Sequence, residues 1–230
     1  MEKFEHIYER AASRKGGVQA LEQLLPVPLS HSQLSKISDT QILSAMAMKI
    51  FQSGFVWKVV ENKWPGFEEV MWGLDPNKLS LASDEQIEKM AQDKRIIRNL
   101  TKVKAVRENA YFVKMIAKKH GSFAKFLADW PVTEITQLWL MLKKDGCRLG
   151  GNTGPYFLRA IGKDTFLITR DVSAYLVGQG IVDKNPTSQR DLKAVQAAFN
   201  QWHQESGRTM AEISRVISCS IGENYPLSSE

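Results

Sequence analysis

The sequence predicts an all-α protein, on three observations. Helix-start signals recur along the chain, and apolar residues follow them at three- and four-residue intervals. Only one stretch, Thr165 to Thr169, is rich enough in β-branched and aromatic residues to suggest a strand. It has no second stretch to pair with, so a buried extended connection is expected there. Counting caps gives roughly eight to ten helices.

Taken in order, Ser38 and Gln41 have the spacing of a capping box, and Ile42, Met46 and Ile50 follow on one helix face. Ser83 and Gln86 repeat the device before Ile87, Met90 and Ala91. Val103, Val106, Ala110, Val113 and Ala117 make a longer stripe. It ends at Lys118, Lys119, His120 and Gly121, cations at the negative helix end followed by a glycine C-cap. Thr133 is expected to open a helix carrying Ile135, Leu138, Trp139 and Leu142, closed by Gly146. Thr153 and Pro155 read as N-cap and first residue of a short helix closed by Gly162. Ser188 opens Leu192, Val195, Phe199 and Trp202, closed by Gly207, and Thr209 with Glu212 caps Ile213, Val216 and Ile217.

With 230 residues, 43% hydrophobic and 24% charged, the composition is that of an ordinary globular chain, neither disordered nor disulfide-rich. No apolar run reaches membrane-spanning length and the N-terminal residues lack a hydrophobic signal core, so no membrane span and a cytoplasmic location are expected. The two cysteines, Cys147 and Cys219, are far apart, which excludes a cysteine zinc cluster. The expected organisation is an N-terminal arm over residues 1–40, loosest from 14 on where Gly16, Gly17, Pro26 and Pro28 gather. A helical core follows over 41–185 with a hairpin at 146–154, and C-terminal helices over 186–230 pack back on it.

The net charge of +6 permits nucleic acid as a partner without requiring it. Residues 89–107 hold Lys89, Lys94, Arg95, Arg98, Lys102, Lys104 and Arg107 against one acid, Asp93, and Lys114, Lys118, Lys119 and Lys125 follow. Such a surface neutralises phosphates or is merely a solvated face, and spacing leaves both open. Residues 146–156 read Gly-Cys-Arg-Leu-Gly-Gly-Asn-Thr-Gly-Pro-Tyr between two helical segments. A glycine-rich turn between helices exposes backbone N–H groups beside a helix N-terminus, a geometry that binds phosphate oxygen without reading sequence. Such a segment is more often a plain turn, and no Gly-Lys-Ser/Thr follows to suggest a nucleotide-binding loop.

Several stretches resemble the 3-methyladenine DNA glycosylase I family. They are Gln52-Ser-Gly-Phe-Val-Trp57, then Phe67, Asp75-Pro76, Ile96-Ile97-Arg98-Asn99, Lys102, Asn109-Ala110 and the segment from Lys144 to Thr153. The resemblance runs in order over roughly residues 40–180. It implies a two-lobed helical bundle of the helix-hairpin-helix DNA glycosylase type, acting on double-stranded DNA with a damaged base. The base is flipped out and its N-glycosidic bond hydrolysed. The implied base pocket is Trp57, Gln52, Lys49 and Phe51, with Trp57 stacking on the flipped base. Taken without the resemblance, Trp57 reads as a core tryptophan. The implied DNA contacts are Arg148, Leu149, Gly150, Gly151, Asn152, Thr153, Gly154, Arg98, Lys102 and Arg170.

The chain departs from that family at three points. The family's pocket glutamate, eight residues before the tryptophan, is here Lys49, and no Asp or Glu occurs between Thr40 and Val60. Lys49 either repels a cationic base or extends to solvent. The family's zinc ligands are absent, so no metal and no other cofactor is expected. The superfamily's catalytic aspartate, in an Asp-x-Asn-Val pattern, aligns with Thr169, and Asp171 lies one short shift away. Thr169 and Asp171 are the catalytic candidates, with an N-cap role as the other reading of Asp171. No lysine lies between Lys144 and Lys163, so no lyase step is expected. The chain is thus expected to be a monomeric, monofunctional glycosylase removing an alkylated, 3-methyladenine-like base in base-excision repair. The alternative is a DNA-binding or lesion-sensing protein of the same fold without that activity.

Overall fold

Residues 1–222 are described here, from a computed structural model. The chain forms fifteen α-helices among the described residues, with no strand. In order they are α1 (Phe4–Lys15), α2 (Val18–Glu22), α3 (His31–Leu34), α4 (Asp39–Gln52), α5 (Trp57–Asn62), α6 (Trp64–Val70), α7 (Pro76–Leu79) and α8 (Asp84–Gln92). There follow α9 (Leu100–His120), α10 (Phe123–Asp129), α11 (Ile135–Asp145), α12 (Thr153–Ala160), α13 (Arg170–Gly178), α14 (Gln189–Ser206) and α15 (Met210–Ser220). The count exceeds the eight to ten expected because helices such as α3 and α7 have four residues, too few for a helical period to show.

The capping boxes form as read, at Ser38 with Gln41, Ser83 with Gln86 and Thr209 with Glu212. Two expected helix starts differ. Thr133 lies inside a 3₁₀ turn, Val132–Glu134, that leads into α11. Thr153 is already the first residue of α12, and Asn152 holds the cap position without a side-chain bond.

The chain divides into two compact units. The first comprises Met1–Pro28, Pro131–Thr136 and the described residues from Asp164 on. Here α1, α13 and α14 each pack on α15. Phe166 stacks on Phe199 with ring centroids 4.0 Å apart, and Trp202, fully buried, donates from its indole to the Glu2 carbonyl at 3.0 Å. Residues 163–169 lie outside any helix, with Thr165 and Phe166 buried. Just before them, Asp164 accepts the amides of Met210 and Ala211 at 3.1 and 2.9 Å, satisfying two of the free donors at the start of α15. Residues 223–230 of the expected C-terminal segment lie outside the described residues.

The second unit comprises Leu29–Trp130 and Gln137–Lys163. Its spine is α9, 21 residues long, on which α4, α7, α8 and α10 pack. Leu43, Ala47, Phe51, Phe67, Leu79, Val103 and Val106 form the heart of its core. The edge contact of Phe51 on Phe67, centroids 4.5 Å apart, joins α4 to α6. The corner between α4 and α5 and the turn between α11 and α12 both belong to this unit.

Candidate functional site

Where α4 ends, the chain turns through Ser53 to Val56 and starts α5 at Trp57. The Trp57 ring is 45% exposed, so it is not a core tryptophan. It meets Tyr156 of α12 edge-on, centroids 5.5 Å apart at 88°. The Lys49 ammonium stands 4.7 Å from the indole centroid, a cation–π contact. Lys49 also donates to Gln52 Oε1 at 2.8 Å, and the Gln52 amide nitrogen donates to Glu61 Oε1 at 3.2 Å. Burial pushes the Lys49 amine below its usual range, opposed by the nearby Glu61 carboxylate. Lys49 therefore does not extend freely to solvent. It is half-buried and tethered to the Trp57 face.

Glu61 and Tyr156 were not expected at this site. Glu61 lies four residues after Trp57 on α5, so both project from one helix face. Phe51 is a correction to the expected pocket: fully buried against Phe67, it is core, and its carbonyl serves the corner instead. Gln52, 3% exposed, acts as the bridge between two charged groups.

Lys102 is a correction to the expected DNA contacts. It is 4% exposed and donates to the carbonyls of Phe51 at 3.1 Å and Ser53 at 2.7 Å, with Phe55 beneath it at 4.7 Å. A cation on the open carbonyls of a helix end neutralises the negative pole of that helix. Lys102 thus holds the shape of the α4–α5 corner. Burial lowers its pKa, and the charge of Arg148 adds to the effect.

The turn between α11 and α12 is clamped from beneath. Asn109, fully buried on α9, donates to the Cys147 carbonyl at 2.8 Å and accepts the Cys147 amide at 2.9 Å. Leu149 is 1% exposed, so its side chain plugs the turn rather than facing DNA. A Cβ on Gly154 would lie 2.6 Å from the Leu149 carbonyl oxygen, which is why glycine stands there. Gly151 has φ +59°, and Arg148 takes φ +59° as well, with its side chain exposed. Among the described residues, no acceptor pairs with the backbone amides of Gly150, Gly151 or Asn152. They stand before the N-terminus of α12, and Thr153 opens that helix.

Part of the basic run is engaged internally. Arg95 binds Asp93 and Glu69, Arg107 binds Asp84, and Lys114 donates to Ser80. Lys89, Lys94, Arg98, Lys118, Lys119 and Lys125 are exposed.

Thr169, Arg170 and Asp171 belong to the first unit. Thr169 is the N-cap of α13, its hydroxyl accepting the Val172 amide at 3.3 Å, so the capping role considered for Asp171 falls to Thr169. Asp171 accepts the Ser218 hydroxyl at 3.4 Å, and Arg170 is exposed. No group of three or more His, Cys, Asp or Glu side chains among the described residues is arranged to hold a metal ion.

This architecture, all helical with a glycine-rich turn joining two helices, is that of the helix-hairpin-helix DNA glycosylases. The chain is similar in structure to 8-oxoguanine DNA glycosylase of Methanocaldococcus jannaschii, with a TM-score of 0.54 and 14% identity over 93% of this chain and 91% of that one. The same protein bound to a 15mer DNA containing 8-oxoguanine gives a TM-score of 0.51 at 12% identity, covering 93% of this chain and 95% of that one. A variant of 3-methyladenine DNA glycosylase I from Staphylococcus aureus gives 0.50 at 22% identity, covering 60% of this chain and 81% of that one. At these identities the likeness establishes a shared fold. No curated protein sequence matches. Residues 33–144 match the methyladenine glycosylase family model.

Proposed function

We propose that the chain is a DNA glycosylase that extrudes an alkylated base from duplex DNA and hydrolyses its N-glycosidic bond in base-excision repair. One observation carries the reading. Trp57, the half-exposed aromatic plane, is braced by Tyr156, which lies in the first turn of the helix that follows the glycine-rich hairpin. The surface for a flipped base is therefore braced by the same helix that the phosphate-anchoring hairpin leads into. Unstacking a base costs a few kcal/mol, and stacking on an aromatic side chain returns roughly 1–3 kcal/mol. Water then adds to the sugar C1′ as the C1′–N bond breaks, and the bonding pair leaves with the base.

The reaction is hydrolytic only, needs no metal or cofactor, and is carried out by a monomer in the cytoplasm. No helix among the described residues is long and apolar enough to cross a membrane. Neither Thr169, engaged in its cap, nor Asp171 is assigned a step. The second reading, lesion sensing without hydrolysis, draws on Thr169 in place of a catalytic aspartate and on Lys49 beside Trp57. Incubation with an alkylated duplex separates the two: free base appears only if the chain hydrolyses. Borohydride added to an abasic duplex should trap no covalent adduct, because water rather than an amine is the nucleophile.

The hairpin supplies a prediction of its own. Gly151→Val places a β-branched residue at φ +59° and obstructs close approach of phosphate. Duplex affinity should fall about three- to tenfold, equally for damaged and undamaged DNA, because the contact carries no sequence information. Gel-shift titrations of both duplexes check it, and a loss confined to damaged DNA would move the anchor elsewhere.

A further inference from the structure

We propose that the pocket takes an uncharged alkylated base, such as an etheno-bridged purine, and discriminates against a base carrying a positive charge. The inference rests on the reading of Trp57 as the stacking surface. Lys49 sits over one face of that indole, 4.7 Å from its centroid. Its position is fixed by Gln52, whose amide has one favourable orientation. The oxygen meets the Lys49 ammonium at 2.8 Å, and the nitrogen meets the Glu61 carboxylate at 3.2 Å. A flipped amide would bring its N–H groups to an ammonium and its oxygen to a carboxylate.

The two charges do not cancel at the ring. Glu61 is exposed, so water screens it, whereas Lys49 is half-buried and screened less. The sign felt by a stacked base is therefore that of Lys49. A cationic base gains from an electron-rich indole face, but here that density is already drawn toward Lys49. It also meets an unfavourable like charge. An uncharged base meets neither penalty at rest and gains in the reaction. When its C1′–N bond breaks, the pair moves onto the base, which leaves as an anion and takes a proton from solvent. The attacking water gives up its proton to solvent, so atoms and charge balance. A nearby cation stabilises that developing negative charge. A base that starts cationic leaves neutral and has no such charge to stabilise.

The experiment is single-turnover base release from duplexes carrying 1,N6-ethenoadenine or 7-methylguanine, the first uncharged and the second cationic. Wild type is compared with Lys49→Met, Lys49→Gln and Glu61→Gln. The ratio of uncharged to charged release should fall about tenfold when Lys49 is neutralised and should rise in Glu61→Gln, which removes the counter-charge. An unchanged ratio in all variants, or shifts of opposite sign, overturns the inference. The Lys49→Gln protein keeps a polar side chain and decides the matter if Lys49→Met does not fold. If wild type releases no base from any duplex, the glycosylase reading fails, and the charge preference is read separately. Adenosine and 1-methyladenosine differ by one methyl group and one charge. Their quenching of Trp57 fluorescence, taken as the difference from Trp57→Phe, should be stronger for adenosine, with the preference lost in Lys49→Gln. Equal quenching, stronger quenching by the cation, or none by either overturns it.

Discussion

Trp57→Ala is expected to slow base release about ten- to a hundredfold while leaving undamaged-duplex affinity nearly unchanged. Alanine removes the plane proposed to carry an extruded base, so the flipped state should lose its stacking energy and the base should fall back into the duplex. The phosphate contacts proposed at the hairpin do not involve the indole, so nonspecific binding should persist. Stability should change little, because the ring is 45% exposed and its loss forfeits mainly the edge contact with Tyr156 and the cation–π contact with Lys49. Trp57→Phe, which keeps a smaller plane, should recover part of the rate. Single-turnover kinetics with thermal melts separate these effects. Normal turnover in Trp57→Ala would place the active site away from the α4–α5 corner.

The second large effect is expected at Asn109. Asn109→Ala removes both the donor to the Cys147 carbonyl and the acceptor of its amide. Two main-chain groups in a partly buried turn then lose their partners, at about 2–4 kcal/mol. For a chain of this length that lowers the melting temperature by roughly 10 °C. The freed hairpin should also bind damaged and undamaged duplex more weakly. Asn109→Asp keeps the acceptor but turns the former donor into a second oxygen facing the Cys147 carbonyl, so it should recover little. A melting temperature unchanged in both variants would show that the clamp does not hold the turn.

The parts of this arrangement that were legible in the sequence are those set by local chemistry. Ser38 with Gln41 and Ser83 with Gln86 satisfy nearby backbone donors, and they do so wherever the rest of the chain lies. The hairpin glycines likewise announce a tight turn. What was not legible depends on tertiary context. Lys102 belongs to a run of cations and reads as surface charge, yet the end of α4 draws it into the interior. Asn109 stands out only through the family resemblance, and its role as a clamp was not readable because its partner is the backbone of a turn 38 residues away. Glu61 escaped for a different reason. The family's glutamate position lies upstream of Trp57 and the acid-free stretch runs to Val60, whereas the carboxylate present is the next residue, four after Trp57. The spacing was readable only with a helix from Trp57, and α5 is six residues long with no side-chain cap to announce it. The four-residue helices α3 and α7 do carry side-chain caps, at Ser30 and Asp75, but are too short for a helical period to follow them.

The most direct test of the glycosylase assignment is mass-spectrometric detection of free base after wild-type protein is incubated, under single-turnover conditions, with duplexes each carrying one defined alkylated base. An alkylated base is expected to be released with the abasic strand left uncut, and Trp57→Ala is expected to slow the release. Absence of free base from every duplex, with the protein folded and bound to DNA, would contradict the assignment.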